Sequence, residues 1–123
     1  MTQPLRTVVV VEDDAGLREA LKRVLSVAGF KARTFADAEE LLEASAARGA
    51  SCLVLDVHLP LLSGFELYDR LLAEMGARPP AIFISAQDEP DARKQATSAG
   101  AAYLPKPFAG RQLLAAVKRA MNA

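Results

Sequence analysis

The chain has 123 residues, of which 51% are hydrophobic, and this length suits one domain with a core of its own. A single cysteine, Cys52, excludes a framework of intramolecular disulfides, and 15 basic against 15 acidic side chains provide no bulk charge for holding nucleic acid or an anionic membrane. The chain opens with no leader-like segment and has no apolar run near the ~20 residues of a membrane span, so we expect a cytoplasmic protein.

Strand-length apolar runs alternate with amphipathic stretches of helical length from the start of the chain. Residues 7–11 are β-branched and continuous, which is typical of a strand buried on both faces. Asp14 can cap the next helix, whose apolar residues recur at helical spacing up to Gly29. At 30–35, apolar and polar residues alternate and predict a second strand with one wetter face.

The same alternation continues to the end of the chain, with capping pairs and proline or glycine breaks between the elements. The remaining predicted elements are a helix opened by Asp37 and Glu40 that runs through Ala46 and ends at Gly49, a strand at 52–55, a helix opened by Ser63 and Glu66, a strand at 81–84, a helix at 88–98, a strand at 101–104 and a helix at 110–121.

Five strand–helix alternations predict an α/β fold with a parallel sheet, most simply a doubly wound sheet of five strands. Pro105 lacks the N–H that a central strand would donate, so the fifth strand is predicted at an edge. In such sheets, ligands bind outside the carboxyl ends of the strands. The residues that directly follow the strands are therefore the candidates for chemistry.

Charged or hydroxyl residues follow four of the five strands. Residues 12–14 are Glu-Asp-Asp, and Asp56, Ser85 and Lys106 follow the third, fourth and fifth strands. Carboxylates at neighbouring strand ends repel one another, and a hard divalent cation such as Mg²⁺ relieves that repulsion. A cation, a hydroxyl and a lysine together make a receptor for a phosphoryl group, which an aspartate can accept.

Each of these residues also has an ordinary structural interpretation. The acidic turn at 12–14 can simply favour a helix N-terminus, Asp56 can cap the next loop, and Lys106 can be a solvated residue at a strand end. Taken one by one, the residues leave both interpretations open. Their placement on separate strand ends, in this order, favours a phosphoryl site.

Four stretches carry a family pattern: Val-Glu-Asp-Asp at 11–14, Leu-Asp-Val-His-Leu-Pro-Leu-Leu-Ser-Gly at 55–64, Ile-Ser-Ala at 84–86 and Lys-Pro-Phe at 106–108. Together they resemble the receiver domain of bacterial two-component response regulators. The resemblance covers essentially the whole chain, residues 1–123, and implies a flavodoxin-like (βα)₅ fold with strand order 2-1-3-4-5. The Ser63-Gly64 pairing and the Lys106-Pro107-Phe108 stretch look similar to receivers of the nitrogen-fixation regulator type, which are attached to DNA-binding domains.

The resemblance implies a role for each matching residue. Asp56 accepts a phosphoryl group from a sensor histidine kinase or a phosphotransfer protein, and Lys106 pairs with that group. Ser85 follows the phosphoryl group on activation, and the ring of Tyr103 then turns inward. Pro107 follows a cis peptide bond that aims Lys106 into the site.

The resemblance also implies a Mg²⁺ site, on Asp13, Asp56, the backbone carbonyl of His58 and, through water, Glu12. Glu12 stands where aspartate is commoner in the family. His58 and Gln87 fill positions that tune how long the phosphoryl group lasts. The Pro-Lys-Pro run at 105–107 is stiffer than usual and is expected to shorten the fifth strand.

The implied function is a signalling switch that transfers phosphoryl only to itself and loses it slowly, so the protein is not expected to be an enzyme. The surface that changes is the fourth helix, fifth strand and fifth helix, roughly 88–120. That surface would meet a downstream protein or an attached output domain, or form a homodimer. No direct nucleic-acid or membrane contact by this chain is expected.

Two other functions stay open at this stage. A small Mg²⁺-dependent phosphohydrolase would also use an aspartyl phosphate, but His58 stands where its second aspartate would serve as acid and base. A flavin- or nucleotide-binding module would share the architecture, but the chain has no glycine-rich phosphate loop. We expect Cys52 to be a buried small hydrophobe.

Overall fold

Strands and helices alternate along the computed structural model, which describes residues 5–77, 79–86 and 89–122. The strands are β1 (Thr7–Val11), β2 (Lys31–Phe35), β3 (Cys52–Asp56), β4 (Ala81–Ser85) and β5 (Ala102–Pro105). The helices are α1 (Ala15–Val27), α2 (Ala38–Ala44), α3 (Gly64–Met75), α4 (Pro90–Ser98) and α5 (Gly110–Asn122), and a 3₁₀ helix (Ala46–Gly49) follows α2.

The five strands form one parallel sheet in the order β2-β1-β3-β4-β5, which confirms the predicted doubly wound architecture. β5 lies at an edge, as the proline at its end predicted. The strand order reverses between β1 and β3, because the chain moves outward from β1 to β2 and then returns across β1. The carboxyl ends of β1 and β3 therefore lie side by side at the switch point.

Alternate residues of each strand enter two separate cores, one on each face of the sheet. The face with α1 and α5 buries leucine and valine side chains completely or nearly so, and Cys52 is fully buried there. Burial raises the pKa of the Cys52 thiol to about 12, so the thiol stays protonated. On the other face, buried side chains of α2, α3 and α4 belong to one core that includes Phe83, whose ring centroid lies 4.3 Å from that of Phe65.

Side-chain caps begin three of the helices where the sequence predicted them. Asp14 Oδ1 accepts a hydrogen bond from Leu17 N, and Asp37 Oδ1 accepts one from Glu40 N, each at 2.9 Å. Ser63 and Glu66 form a complete capping box at the start of α3. Within the described ranges, no helix has the length and apolar character that crossing a bilayer requires.

Some predicted boundaries differ in the structure, and one lies outside the described residues. The helix predicted through Ala46 ends at Ala44, because Ser45 turns left-handed with φ of 52° and a separate 3₁₀ helix follows. The second strand begins at Lys31, since Phe30 N–H donates to the last turn of α1 instead. The predicted helix start at Asp88 lies outside the described residues, as does Gln87.

Gly64 is needed because two pieces of backbone meet at the start of α3. A Cβ built on Gly64 would lie 2.3 Å from the carbonyl oxygen of Asp56, far inside van der Waals contact. Gly64 N–H also donates to Val57 O at 3.1 Å. No local sequence pattern indicates this requirement, whereas the structure ties α3 to the end of β3 through this close approach.

Gly64→Ala should lower the free energy of unfolding by about 1–3 kcal/mol, because the added methyl group must push the backbone at Asp56 away. Urea denaturation followed by circular dichroism measures this change. Gly49→Ala is the matched control, since no atom lies within 4 Å of a Cβ there and its φ is not positive. Equal stability of the two variants would contradict the close-approach explanation.

Candidate functional site

Three carboxylates meet at the switch point. Glu12 follows β1 directly and is fully buried, while Asp56 ends β3 and is 3% exposed. Asp13 is exposed beside them, and one carboxylate oxygen from each residue lies within 4.8 Å of the others. The structure thus brings together the acidic residues that the sequence placed on two separate strand ends.

Lys106 reaches this acidic cluster from the end of β5. Its Nζ lies 2.7 Å from Glu12 Oε1. The two groups form an ion pair without the geometry of a regular hydrogen bond. Nζ also donates to Asp56 Oδ2 at 3.2 Å. The Lys106 N–H donates to Ser85 O at 2.6 Å, and the peptide bond to Pro107 is cis.

Burial and neighbouring charge shift the pKa values of this cluster. Burial raises the pKa of Glu12 to about 7, and the Asp56 carboxylate adds to the rise, while the Lys106 ammonium only partly offsets it. Burial alone would lower the pKa of Lys106. The adjacent carboxylates of Glu12 and Asp56 outweigh that effect, so the pKa of the ammonium is higher than usual.

The backbone after β3 holds the second oxygen of Asp56. His58 N–H donates to Asp56 Oδ1 at 3.0 Å, so the two carboxylate oxygens have different partners. Ser85, at the end of the neighbouring strand β4, is fully buried. Main-chain and side-chain donors thus surround the aspartate that the resemblance singled out.

A second set of contacts lies outside the buried cluster and was not foreseen from the sequence. The imidazole of His58 contacts Glu89, the residue before α4, with Nε2 2.5 Å from Oε1. Glu89 N–H donates to the hydroxyl of Tyr103 at 3.2 Å, and the guanidinium of Arg93 lies 4.9 Å from the centroid of the Tyr103 ring. A lone glutamate before a proline carries no motif that could have indicated this contact.

Arg18 is also absent from the sequence-based site. Its Nη1 donates to the carbonyl oxygens of Glu12 at 2.8 Å and Asp13 at 3.4 Å. The guanidinium therefore fixes the turn that carries both acids, from one turn inside α1. An arginine four residues after a helix cap is common, so the sequence offered no signal for it.

The donor set fits a hard divalent cation. Glu12, Asp13 and Asp56 offer carboxylate oxygens, which are the ligands that Mg²⁺ and Ca²⁺ prefer. No imidazole or thiol of the described residues belongs to the cluster. A soft transition metal would prefer nitrogen or sulfur ligands.

Comparisons with known proteins give one consistent family. The family model for the response regulator receiver domain matches residues 8–118. The transcriptional regulatory protein TdiR of Thauera aromatica is 37% identical over 94% of this chain and 51% of its own length. The response regulator MprA of Mycobacterium ulcerans is 40% identical over 90% of this chain and 48% of its own length.

This chain belongs to the response regulator receiver family. The solved structure of the chemotaxis protein CheY4 of Vibrio cholerae agrees, with a TM-score of 0.84 at 27% identity over 95% of this receiver and 99% of that chain. Receivers of this family work in two-component signalling. The receiver spans about half the length of the curated relatives it matches.

Glu12→Gln tests the electrostatics of the receiver's acidic cluster. The folded-state pKa of Glu12 is raised, so its contribution to stability is fully present below pH 4.5 and is lost as pH rises through about 7. Near pH 8 without divalent cations, we expect the variant to gain about 1–3 kcal/mol in the free energy of unfolding. Urea titration measures the difference.

A control variant and the addition of a divalent cation test whether this change in stability comes from the charge of Glu12. Glu19→Gln removes an exposed carboxylate from α1 and should leave stability unchanged. Addition of a divalent cation should reverse the order of wild type and Glu12→Gln, since the wild type keeps one more carboxylate for the cation. A Glu12→Gln variant that is less stable than the wild type without cations would refute the electrostatic account.

Proposed function

We propose that the whole chain, residues 1–123, is one receiver domain that accepts a phosphoryl group on Asp56 and so switches a signalling partner. The observation that carries this proposal is the placement of Asp56. Its carboxylate is buried at the end of a central strand, beside two further acids and 3.2 Å from the Lys106 ammonium. Family membership supports the same function.

Phosphoryl transfer needs little from the protein except that it position the reactants and neutralise the negative charge of the transferred group. One carboxylate oxygen of Asp56 attacks the phosphorus, a new O–P bond forms, and the P–N bond of the donor phosphohistidine breaks. The electron pair of that bond leaves with the imidazole. Lys106 lies where it can neutralise an oxygen of the transferred group, and Ser85 at the end of β4 can donate a hydrogen bond to it.

The cofactor in this proposal is Mg²⁺. Bound Mg²⁺ would neutralise phosphoryl oxygens, and its ligands would be Asp13, Asp56, the main-chain carbonyl of His58 and, through water, Glu12. The oxygen-only donor set of the cluster supports this choice. Arg18 supports the site from behind, because it orients the backbone of the two acids after β1.

The transferred charge would change the molecule at a distance from Asp56. Ser85 would move toward the phosphoryl group and the ring of Tyr103 would turn inward, which shifts the population toward a second conformation. The altered surface would be α4, β5 and α5. It would meet a downstream protein, an attached output domain or a second copy of the chain, with no direct contact to nucleic acid or membrane.

The donors in this proposal are a sensor histidine kinase or a phosphotransfer protein, which places the receiver in the cytoplasm. The chemistry is a single transfer to the protein itself, followed by slow hydrolysis of the acyl phosphate. The receiver therefore acts as a signalling protein and does not turn over a substrate.

Asp56→Asn tests the assignment of the acceptor. Incubated with acetyl phosphate and Mg²⁺, the wild type should gain the mass of one phosphoryl group, and the variant should gain none, because an amide oxygen is a poor nucleophile. Intact-protein mass spectrometry detects the adduct, and chelation of Mg²⁺ should prevent it in the wild type.

Asp69→Asn, an exposed acid on α3, is the control and should be labelled like the wild type. Undiminished labelling of Asp56→Asn would refute Asp56 as the acceptor. Continuous release of phosphate from phosphate monoesters would instead support the hydrolase.

A further inference from the structure

A continuous series of contacts leads from the acceptor carboxylate to the start of α4. His58 is the first link, because its main-chain N–H holds Asp56 Oδ1 while its imidazole contacts Glu89. Glu89 is the second link, since its own main-chain N–H donates to the hydroxyl of Tyr103. The pair joins residues 31 positions apart, and so bridges the loop after β3 to the loop after β4.

We infer that Glu89 is a positioning residue that acts through His58 and stabilises the resting conformation of the site. The contact between their side chains, which we call the His58–Glu89 contact, holds the start of α4 against the loop that carries the acceptor. The inference rests on the proposed function of Asp56. It assigns a role to Glu89, which lies outside the acidic cluster, and it states which conformation Glu89 stabilises.

The position of Glu89 at the helix start supports this role. Glu89 occupies the N-cap of α4, yet its side chain makes no hydrogen bond to the first turn of the helix. The carboxylate contacts His58 instead, so the usual local stabilisation of a helix start is replaced by a contact with another loop. The His58–Glu89 contact thus connects the start of α4 to the loop after β3.

Tyr103 connects this contact to the proposed switch. Its hydroxyl accepts from Glu89 N–H, and its ring lies under the guanidinium of Arg93, one turn into α4. An inward turn of the ring would carry the hydroxyl away from Glu89. The start of α4 would then lose its bond to Tyr103, and its movement away from the loop after β3 would also break the His58–Glu89 contact.

The exposure of the two side chains to solvent sets the expected size of the effect on activation. The side chains of His58 and Glu89 are 59% and 36% exposed, so the contact is screened by water and is worth less than a buried pair. Its removal should favour the activated conformation by a small factor. An effect of about 2- to 5-fold is expected for a pair of this kind.

The test measures activation directly. The protein is labelled with fluorotyrosine, and the fluorine NMR signal of Tyr103 is assigned with Tyr103→Phe. The apparent dissociation constant for beryllofluoride with Mg²⁺ is then read from that signal. Glu89→Ala and His58→Ala should each bind about 2- to 5-fold more tightly than the wild type. The double variant should bind no more tightly than either single variant, because both remove the same contact.

Asp91→Ala is the matched control, since it removes an equal charge from the exposed first turn of α4. It should leave the apparent dissociation constant unchanged, whereas an equal gain would reduce the effect to general charge and overturn the inference. Additive gains in the double variant, or no gain in Glu89→Ala, would also overturn it.

A separate readout distinguishes this inference from the proposed function. In the resting protein, without beryllofluoride, Glu89→Ala and His58→Ala should shift the Tyr103 signal in the same direction. A wild type that does not respond to beryllofluoride through Asp56 would refute the proposed function. In that case the Tyr103 signal of the resting protein alone tests the inference. A signal that Glu89→Ala does not shift would overturn the role of Glu89.

Discussion

The ion pairs of Lys106 with Glu12 and Asp56 are the contacts on which the arrangement of the site depends. Parallel strands deliver their carboxyl ends to the same edge of the sheet, so the residues after β1 and β3 cannot avoid one another. Both carboxylates are almost completely buried, and two buried negative charges repel strongly. One ammonium from the edge strand β5 reaches both, and so ties the centre of the sheet to its edge.

The same cluster explains why a cation belongs to the proposed function. When Glu12, Asp13 and Asp56 are all ionised, three negative charges face the single positive charge of Lys106. A phosphoryl group on Asp56 adds further negative charge to that space. Burial is the main reason that the pKa of Glu12 is raised, the neighbouring Asp56 carboxylate adds to the rise, and the Lys106 ammonium only partly offsets it. The balanced net charge of the whole chain therefore conceals a local excess at one edge of the sheet.

Sequence patterns predicted what depends on burial or on local hydrogen bonds. The apolar runs of β1, β3 and β4 and the caps at Asp14 and Asp37 are of this kind, and strand ends indicated where the acids and Lys106 would meet. The break at Ser45 was missed, because a serine between alanines gives no local signal for a left-handed turn. The need for glycine at position 64 and the His58–Glu89 contact arise between segments distant in sequence, which no local pattern encodes.

The helices are anchored unequally on the sheet, and this difference directs where a change at the site can go. α1 and α5 bury large side chains such as Leu25 and Leu113 completely, so their displacement would open cavities in the core. α4 buries only alanines, Ala92 and Ala96, among its described residues. Small buried groups lose little when a helix shifts, so polar contacts at the start of α4 form a larger share of what holds it. A charge added at Asp56 is therefore expected to move α4 before it moves the helices of the opposite face.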